Sequence, residues 1–288
     1  MANLKEVRTR IASVSSTQQI TSAMKMVSAA KFRRAQNAIL GMRPYAARLN
    51  EIIADIDVED GVQTPYHEVR HASNVLLVVV TSNKGLCGAF NSNVIKEAMA
   101  RLQHFRDGGC NVKMVTVGKR GSEFFAKQQD LVVASHDGVL DNPDFDSVAA
   151  ICDSVMESFC NKQYDVIELV YNQFKNSLTQ ILSTEQFLPI VAKTSDKAVG
   201  TRNDYIYEPG KERILKEMIP LTLRSQFYRV ILDSLAAEHG ARMTAMQKAT
   251  DNATELLKDL RLSYNKARQA AITNEIIEIV SGSEALKG

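Results

Sequence analysis

The chain has 288 residues, of which 45% are hydrophobic and 24% charged, the proportions of a folded soluble protein. Its longest aliphatic run, Val75 to Val80, falls far short of the roughly 20 residues that cross a bilayer, and MANLKEVRTR lacks the apolar stretch of a signal peptide. These features exclude a membrane-spanning or exported chain and lead to the expectation of a cytoplasmic protein whose route to a membrane is a membrane-embedded partner.

The net charge of +2 is unevenly spread, because residues 1–50 carry nine basic groups against the single acid Glu6, leaving a deficit in the remainder. A basic arm of this kind suits an acidic partner. In that arm the apolar residues Leu4, Val7, Ile11 and Val14 recur at helical spacing, then Ile20, Met24 and Val27, then Ala38, Met42, Tyr45, Leu49, Ile52 and Ile56. Steps of three and four predict one long helix with a coiled-coil stripe over 1–57. The register slips between Val14 and Ile20, which predicts local overwinding, and Pro44 predicts a kink or weak joint.

A connector over 58–72 precedes a middle part, 73–192, with a different rhythm. Short β-branched runs at Val75–Ser82, Val112–Gly118, Leu131–Ala134 and Asp165–Tyr171 alternate with helical stretches near Asn91–Arg106, Ser122–Gln128 and Asp146–Lys162. Alternation of this type predicts βαβ units on a largely parallel sheet, with Leu178–Ile190 as an edge strand. A second connector, 193–211, leads to a C-terminal coiled-coil helix over 212–287, with no proline from Leu221 to Leu286. Its stripe reads Met243, Met246, Thr250, Ala253, Leu257, Leu260, Tyr264, Ala267 and Ala271. Two long helices with one apolar stripe each satisfy one another as an antiparallel pair. The expected fold is α/β: a long antiparallel coiled coil of the N- and C-terminal helices with an inserted Rossmann-like α/β domain.

Few motifs promise chemistry. His67-Glu68-Val69-Arg70-His71 fits HExxH, but it follows Pro65 in a connector and no third ligand is evident, so no metal site is expected. Gly85-Leu-Cys-Gly88 and Gly118-Lys-Arg-Gly121 sit where nucleotide folds place phosphate loops, yet neither has the dinucleotide or Walker spacing. Tight turns explain those glycines. The four cysteines, Cys87, Cys110, Cys152 and Cys160, form no CxxC and read as reduced thiols. The basic arm carries only Phe32 and Tyr45 as aromatics, too few to stack nucleic-acid bases. No catalytic residue and no cofactor is expected. The competing classes are a coiled-coil tether, which would need longer arms or an ATPase head, and a metal or nucleotide enzyme.

Three stretches carry a family resemblance. RTRIASVSSTQQITSAMKMVSAAKFRRA (8–35), TSNKGLCGAFNSN (81–93) and the segment 235–287, from LAAEHGARMTAMQKATDNA to YNKARQAAITNEIIEIVSGSEALK, resemble F-type ATP synthase gamma subunits of bacteria. Two positions depart from the pattern: Asn83, where the family commonly has Asp, and Ser283, where it commonly has Ala after Gly. The resemblance implies a rotor shaft inside an α3β3 hexamer, with an epsilon subunit and a c-subunit ring as further partners, at the cytoplasmic face of the inner membrane. It implies no bond chemistry of the chain's own. Met24 and Lys25 match the region facing the β lever, while Arg268 and Gln269 match positions that meet a β catch loop, next to Thr273 and Glu275. Tyr205, Ile206, Tyr207 and Glu208 match the foot on the c ring and epsilon.

Overall fold

A computed structural model describes residues 4–60, 64–128, 130–176, 179–190 and 211–285. Ten principal elements follow in order: α1 (Leu4–Asp60), β1 (Asn74–Val80), α2 (Phe90–Asp107), β2 (Asn111–Val117), α3 (Lys119–Phe125), β3 (Val132–His136), α4 (Phe145–Cys160), β4 (Val166–Phe174), β5 (Gln180–Leu188) and α5 (Lys211–Ala285). The chain divides into two compact units, residues 1–28 with 243–288, and residues 29–242.

The larger unit is built on a five-stranded sheet in the order β3-β2-β1-β4-β5. β1 pairs in parallel with β2 and β4, β2 in parallel with β3, and β5 closes the sheet antiparallel to β4. The central strand β1 reads NVLLVVV because both its faces are covered. Val75, Leu77 and Val79 meet Val94, Ala98 and Leu102 of α2 and Phe125 of α3. Leu76, Val78 and Val80 meet the other core, to which α4 contributes Ile151, Val155 and Phe159, and α5 contributes Phe227 and Ile231. α4 starts where Asp144 accepts a 2.9 Å hydrogen bond from the Ser147 amide, an N-cap that satisfies one orphan donor of the first turn.

Within this unit α3 begins at Lys119 rather than near Ser122. The cause lies in β1's last turn. The Thr81 hydroxyl accepts from the Gly121 amide at 2.8 Å and donates to the Gly118 carbonyl at 3.1 Å, so the Gly-Lys-Arg-Gly stretch is drawn into the helix's first turn. A Cβ at Gly118 would stand 2.4 Å from the Thr81 carbonyl oxygen, and one at Gly121 would stand 2.9 Å from its hydroxyl. Close approach accounts for both glycines. α1 runs through Pro44 within a single helix and contributes Ile39, which packs between Leu232 and Ala236 of α5.

The smaller unit is an antiparallel helix pair. Thr21 and Thr250 share a 2.8 Å hydroxyl contact, and Gln18 donates to the Thr254 hydroxyl at 2.7 Å, so α1 ascends as α5 descends. The buried seam of α5 is Met246, Ala253 and Leu257, flanked by half-buried Thr250, Leu260, Tyr264 and Ala267, along the expected stripe. On α1 the seam corrects the expectation of a slip. After Val7, Ile11 and Val14 it continues evenly through Gln18, Thr21, Met24, Lys25 and Ser28, while Ile20 and Val27 are 60% and 59% exposed. Polar and small residues fill the seam where the apolar ones leave it, so no overwinding is needed. Ala271, placed on the stripe from sequence, is exposed.

Candidate subunit-contact surfaces

The crevice at the carboxyl ends of the strands, where open α/β sheets hold ligands, is the first place to look for chemistry. Here it is filled. Cys87 and Phe90 pack with Ala237 of α5, with Phe174 and Ala241 beside them, and the Asn172 amide donates to the Phe90 carbonyl at 3.1 Å. The Gly85–Gly88 turn presents carbonyls, not amides, to its neighbour. Arg242 of α5 donates from Nε to the Gly85 oxygen at 3.2 Å and from Nη2 to the Lys84 oxygen at 2.7 Å. A loop that holds a guanidinium with its carbonyls has the opposite polarity to a phosphate cradle.

Arg242 is also paired with Glu238, one helical turn earlier, at 2.7 Å, both side chains being 8% exposed. Its Nη1 lies 3.3 Å from His239 Nδ1. Burial raises the Glu238 carboxyl pKa against the pull of Arg242, and burial beside that cation pushes His239 down to about 4. This clasp was not visible from the sequence as a functional feature. Its one signal is a Glu-x-x-x-Arg pair inside the alanine-rich stretch LAAEHGAR, where charges sit at core-facing positions.

The HExxH stretch is not helical. Pro65–His67 forms a single tight turn, His67 contacts the Thr64 hydroxyl through Nδ1 at 2.8 Å, and the chain leaves the turn extended at Glu68. Glu68 is instead held by Arg70 at 2.7 Å, whose hydrogen bond keeps the carboxyl below its usual range. Neither a shared helical face for the two histidines nor a free base exists. Among the described residues no cluster of three or more His, Cys, Asp or Glu could hold a metal.

The residues matched to β-subunit contacts all lie in the smaller unit, in two places. Met24 and Lys25 are half-buried on α1, with the Met24 carbonyl accepting from Ser28 at 2.7 Å. Arg268, Gln269, Thr273 and Glu275 are exposed on α5, and the Thr273 hydroxyl donates to the Gln269 carbonyl at 2.9 Å. The register that pairs Thr21 with Thr250 puts Met24 opposite the Met246 turn, so about 22 residues of α5, roughly 33 Å at 1.5 Å per residue, separate the two groups. They are two surfaces, not one. Tyr205, Ile206, Tyr207 and Glu208 lie outside the described residues.

The same register sets Leu4 opposite Ala267, the last half-buried residue of the seam. From Arg268 to Ser283 every residue of α5 is exposed. Five of them are large aliphatics: Ile272 (49%), Ile276 (55%), Ile277 (56%), Ile279 (66%) and Val280 (52%). Ile272, Ile276, Ile279 and Val280 recur at i, i+4, i+7 and i+8, one broad face of the helix, with Ile277 on its flank. No helix among the described residues is long and apolar enough to cross a membrane.

Comparison with known proteins gives a consistent picture. Residues 3–286 match the family model described as ATP synthase. The chain is 54% identical over 290 residues to the ATP synthase gamma chain of Flavobacterium johnsoniae, covering 100% of both. It is 50% identical to that of Cytophaga hutchinsonii, with 99% of each covered. Among solved structures it matches a chain of the Tetrahymena thermophila mitochondrial ATP synthase central stalk and c-ring, with a TM-score of 0.61 and 25% identity over 80% of this chain and 99% of that one. A chain of the Euglena gracilis mitochondrial ATP synthase rotor shares the fold, with a TM-score of 0.66 and 20% identity over 93% and 98%.

Proposed function

This chain belongs to the ATP synthase gamma-chain family, and on that premise we propose that it is the central rotor of a bacterial ATP synthase, turning in an α3β3 hexamer and performing no bond chemistry itself. The observation that carries the reading is the bare end of α5. Covering what remains exposed of each of its five aliphatic side chains is worth about 1 kcal/mol, and α1 does not reach them. A surrounding sleeve of subunits would cover this broad apolar face, which the chain's own helices leave bare. The filled crevice and the carbonyl-lined turn support the absence of catalysis in this subunit.

Torque transfer sets the energetic scale. One proton crossing 100 mV delivers about 2.3 kcal/mol, and an exposed ion pair contributes about 0–1 kcal/mol. The rotor therefore works through stiffness and shape over many contacts, and single charged residues set dwell positions. Arg268 and Gln269, with Thr273 and Glu275 beside them, would meet a β catch loop, and Met24 and Lys25 the β lever region. A guanidinium such as Arg268 forks onto a carboxylate and releases it as the shaft turns. The foot at Tyr205, Tyr207 and Glu208 would meet the c ring and an epsilon subunit. The complex would sit at the cytoplasmic face of the inner membrane.

Native purification of the tagged chain is expected to bring down α and β subunits at a ratio of three each to one rotor. Recovery of the chain alone, or with a substrate turnover of its own, would overturn the rotor reading. Arg268→Glu in the assembled complex is expected to lower ATP-driven ion pumping relative to ATP hydrolysis. Unchanged pumping and hydrolysis would remove Arg268 from the catch role and leave the rotor reading standing.

A further inference from the structure

The turn after β1, residues 82–88, is tied down at three points. Across its two ends the Asn91 side chain accepts from the Ser82 amide at 2.9 Å and donates to Cys87 Sγ at 3.3 Å. In its middle Arg242 holds the Lys84 and Gly85 carbonyls. At its start stands Asn83, whose Nδ2 donates to the Asp137 carbonyl at 2.7 Å and to Asp141 Oδ1 at 3.2 Å, while its Oδ1 accepts from the Lys119 amide at 3.1 Å. The partners fix which end of the amide is which, since a main-chain N–H must meet oxygen and a carboxylate must meet N–H. Held this way, the turn projects Leu86, 64% exposed and in the left-handed region at φ 61°, a conformation that costs a leucine about 1 kcal/mol or more.

We infer that Asn83 is the positioning residue of this turn, and that it acts as a neutral amide matched to the Asp141 carboxylate, so that asparagine and aspartate are not interchangeable at position 83. The inference concerns the turn's own geometry and stands apart from the rotor reading. An aspartate would keep the bond from Lys119 but would put a second oxygen against both the Asp137 carbonyl and the Asp141 carboxylate. Two carboxylates at that separation cannot both ionise without strain. The charged groups around the site are Lys84 of the turn itself, Asp137 and Asp141 from the turn after β3, Lys119 and Arg120 from α3, Lys31 from α1, and Glu238 and Arg242 from α5, with Asp137 already accepting from Ser122 at 2.7 Å. The hydrogen bonds of the Asn83 side chain run to the Asp137 carbonyl, the Asp141 carboxylate and the Lys119 main-chain amide, and no cationic side chain among the described residues donates to it.

Cys87 is a built-in reporter, because its thiol is 2% exposed inside the turn and becomes reactive only when the turn opens. Trypsin isolates it between Lys84 and Lys96, away from the other three cysteines. The full-length chain is treated with dithiodipyridine, which reacts with thiols in acid and in base, and the Cys87 peptide is quantified by mass spectrometry. At about pH 8, Asn83→Asp is expected to raise the Cys87 rate about tenfold over the parent at the same pH. The gap is expected to close at about pH 5, where one shared proton restores a donor, and the same sample returned to about pH 8 serves as its own folding control. Asp141→Asn in the Asn83→Asp background is expected to recover part of the parent rate, because the donor between positions 83 and 141 is then supplied from the other side while the Asp137 carbonyl still lacks one. A parent-like rate in Asn83→Asp at about pH 8 would overturn the inference. So would a rise that neither acid nor Asp141→Asn reverses.

Discussion

At the scale of single residues, the positions with the largest consequences are those where polar chemistry meets close packing. Gly121→Ala drives a methyl group against the Thr81 side chain, which holds the start of α3, so a loss of about 1–3 kcal/mol in urea unfolding is expected. His239 makes stability depend on pH. Its folded value of about 4 lies below the ordinary value near 6.5, so between those limits the unfolded chain binds a proton that the folded chain refuses. Stability contributed by the neutral ring is complete above about pH 6.5 and falls as the pH drops towards 4, by on the order of 2 kcal/mol. Urea midpoints of the parent and His239→Gln at about pH 7 and pH 4.5 check this: the variant should lose less on acidification. Arg242 allows no such latitude. Arg242→Ala would leave Glu238 buried without its cation, which costs about 3–5 kcal/mol, whereas an exposed pair such as Lys119 with Glu123 contributes at most about 1 kcal/mol.

At the scale of elements, the helix pair of the smaller unit separates apolar from polar contributions. Leu257→Ala removes a side chain that is 5% exposed in the seam and is expected to cost about 2–4 kcal/mol. The double change Thr21→Val with Thr250→Val replaces a hydroxyl pair by apolar groups of the same shape and is expected to stay within about 1 kcal/mol of the parent. Thermal unfolding of both variants reads the contrast. The same helices mark what could be read from sequence. The stripe on α5 was legible because Met246, Ala253 and Leu257 pack against this chain's own α1. On α1 the stripe misled between Val14 and Ser28, because Ile20 and Val27 point away from α5 while Gln18 and Thr21 face it. Hydrophobic spacing registers every partner a helix has, including those outside the chain. The sheet was easier, since VLLVVV is covered on both faces by the chain's own helices. The Glu238–Arg242 clasp was hidden because ionisable residues in a helix are ordinarily read as solvated, and only the tertiary fold shows both to be buried.

At the scale of the whole molecule, the exposed aliphatics of α5 govern both solubility and assembly. Replacing Ile276, Ile277, Ile279 and Val280 by serine is expected to leave the helix pair's unfolding transition within about 0.5 kcal/mol and to reduce aggregation of the isolated chain, measured by light scattering. In the assembled complex the same variant should weaken retention of the rotor, read as its fraction lost on gel filtration. Family membership and this bare segment point the same way. The pairing of Leu4 with Ala267 also makes the two chain ends respond differently to trimming. Cutting back from Ala285 towards Arg268 shortens an unpaired rod and spares every contact that holds the pair. Cutting the same number of residues from Leu4 inward strips Val7, Ile11 and Val14 from the seam, and each residue removed there lengthens the unaccompanied part of α5 by one. Reach can thus be shortened from one end without loosening the grip, and from the other end grip is lost with no change in reach.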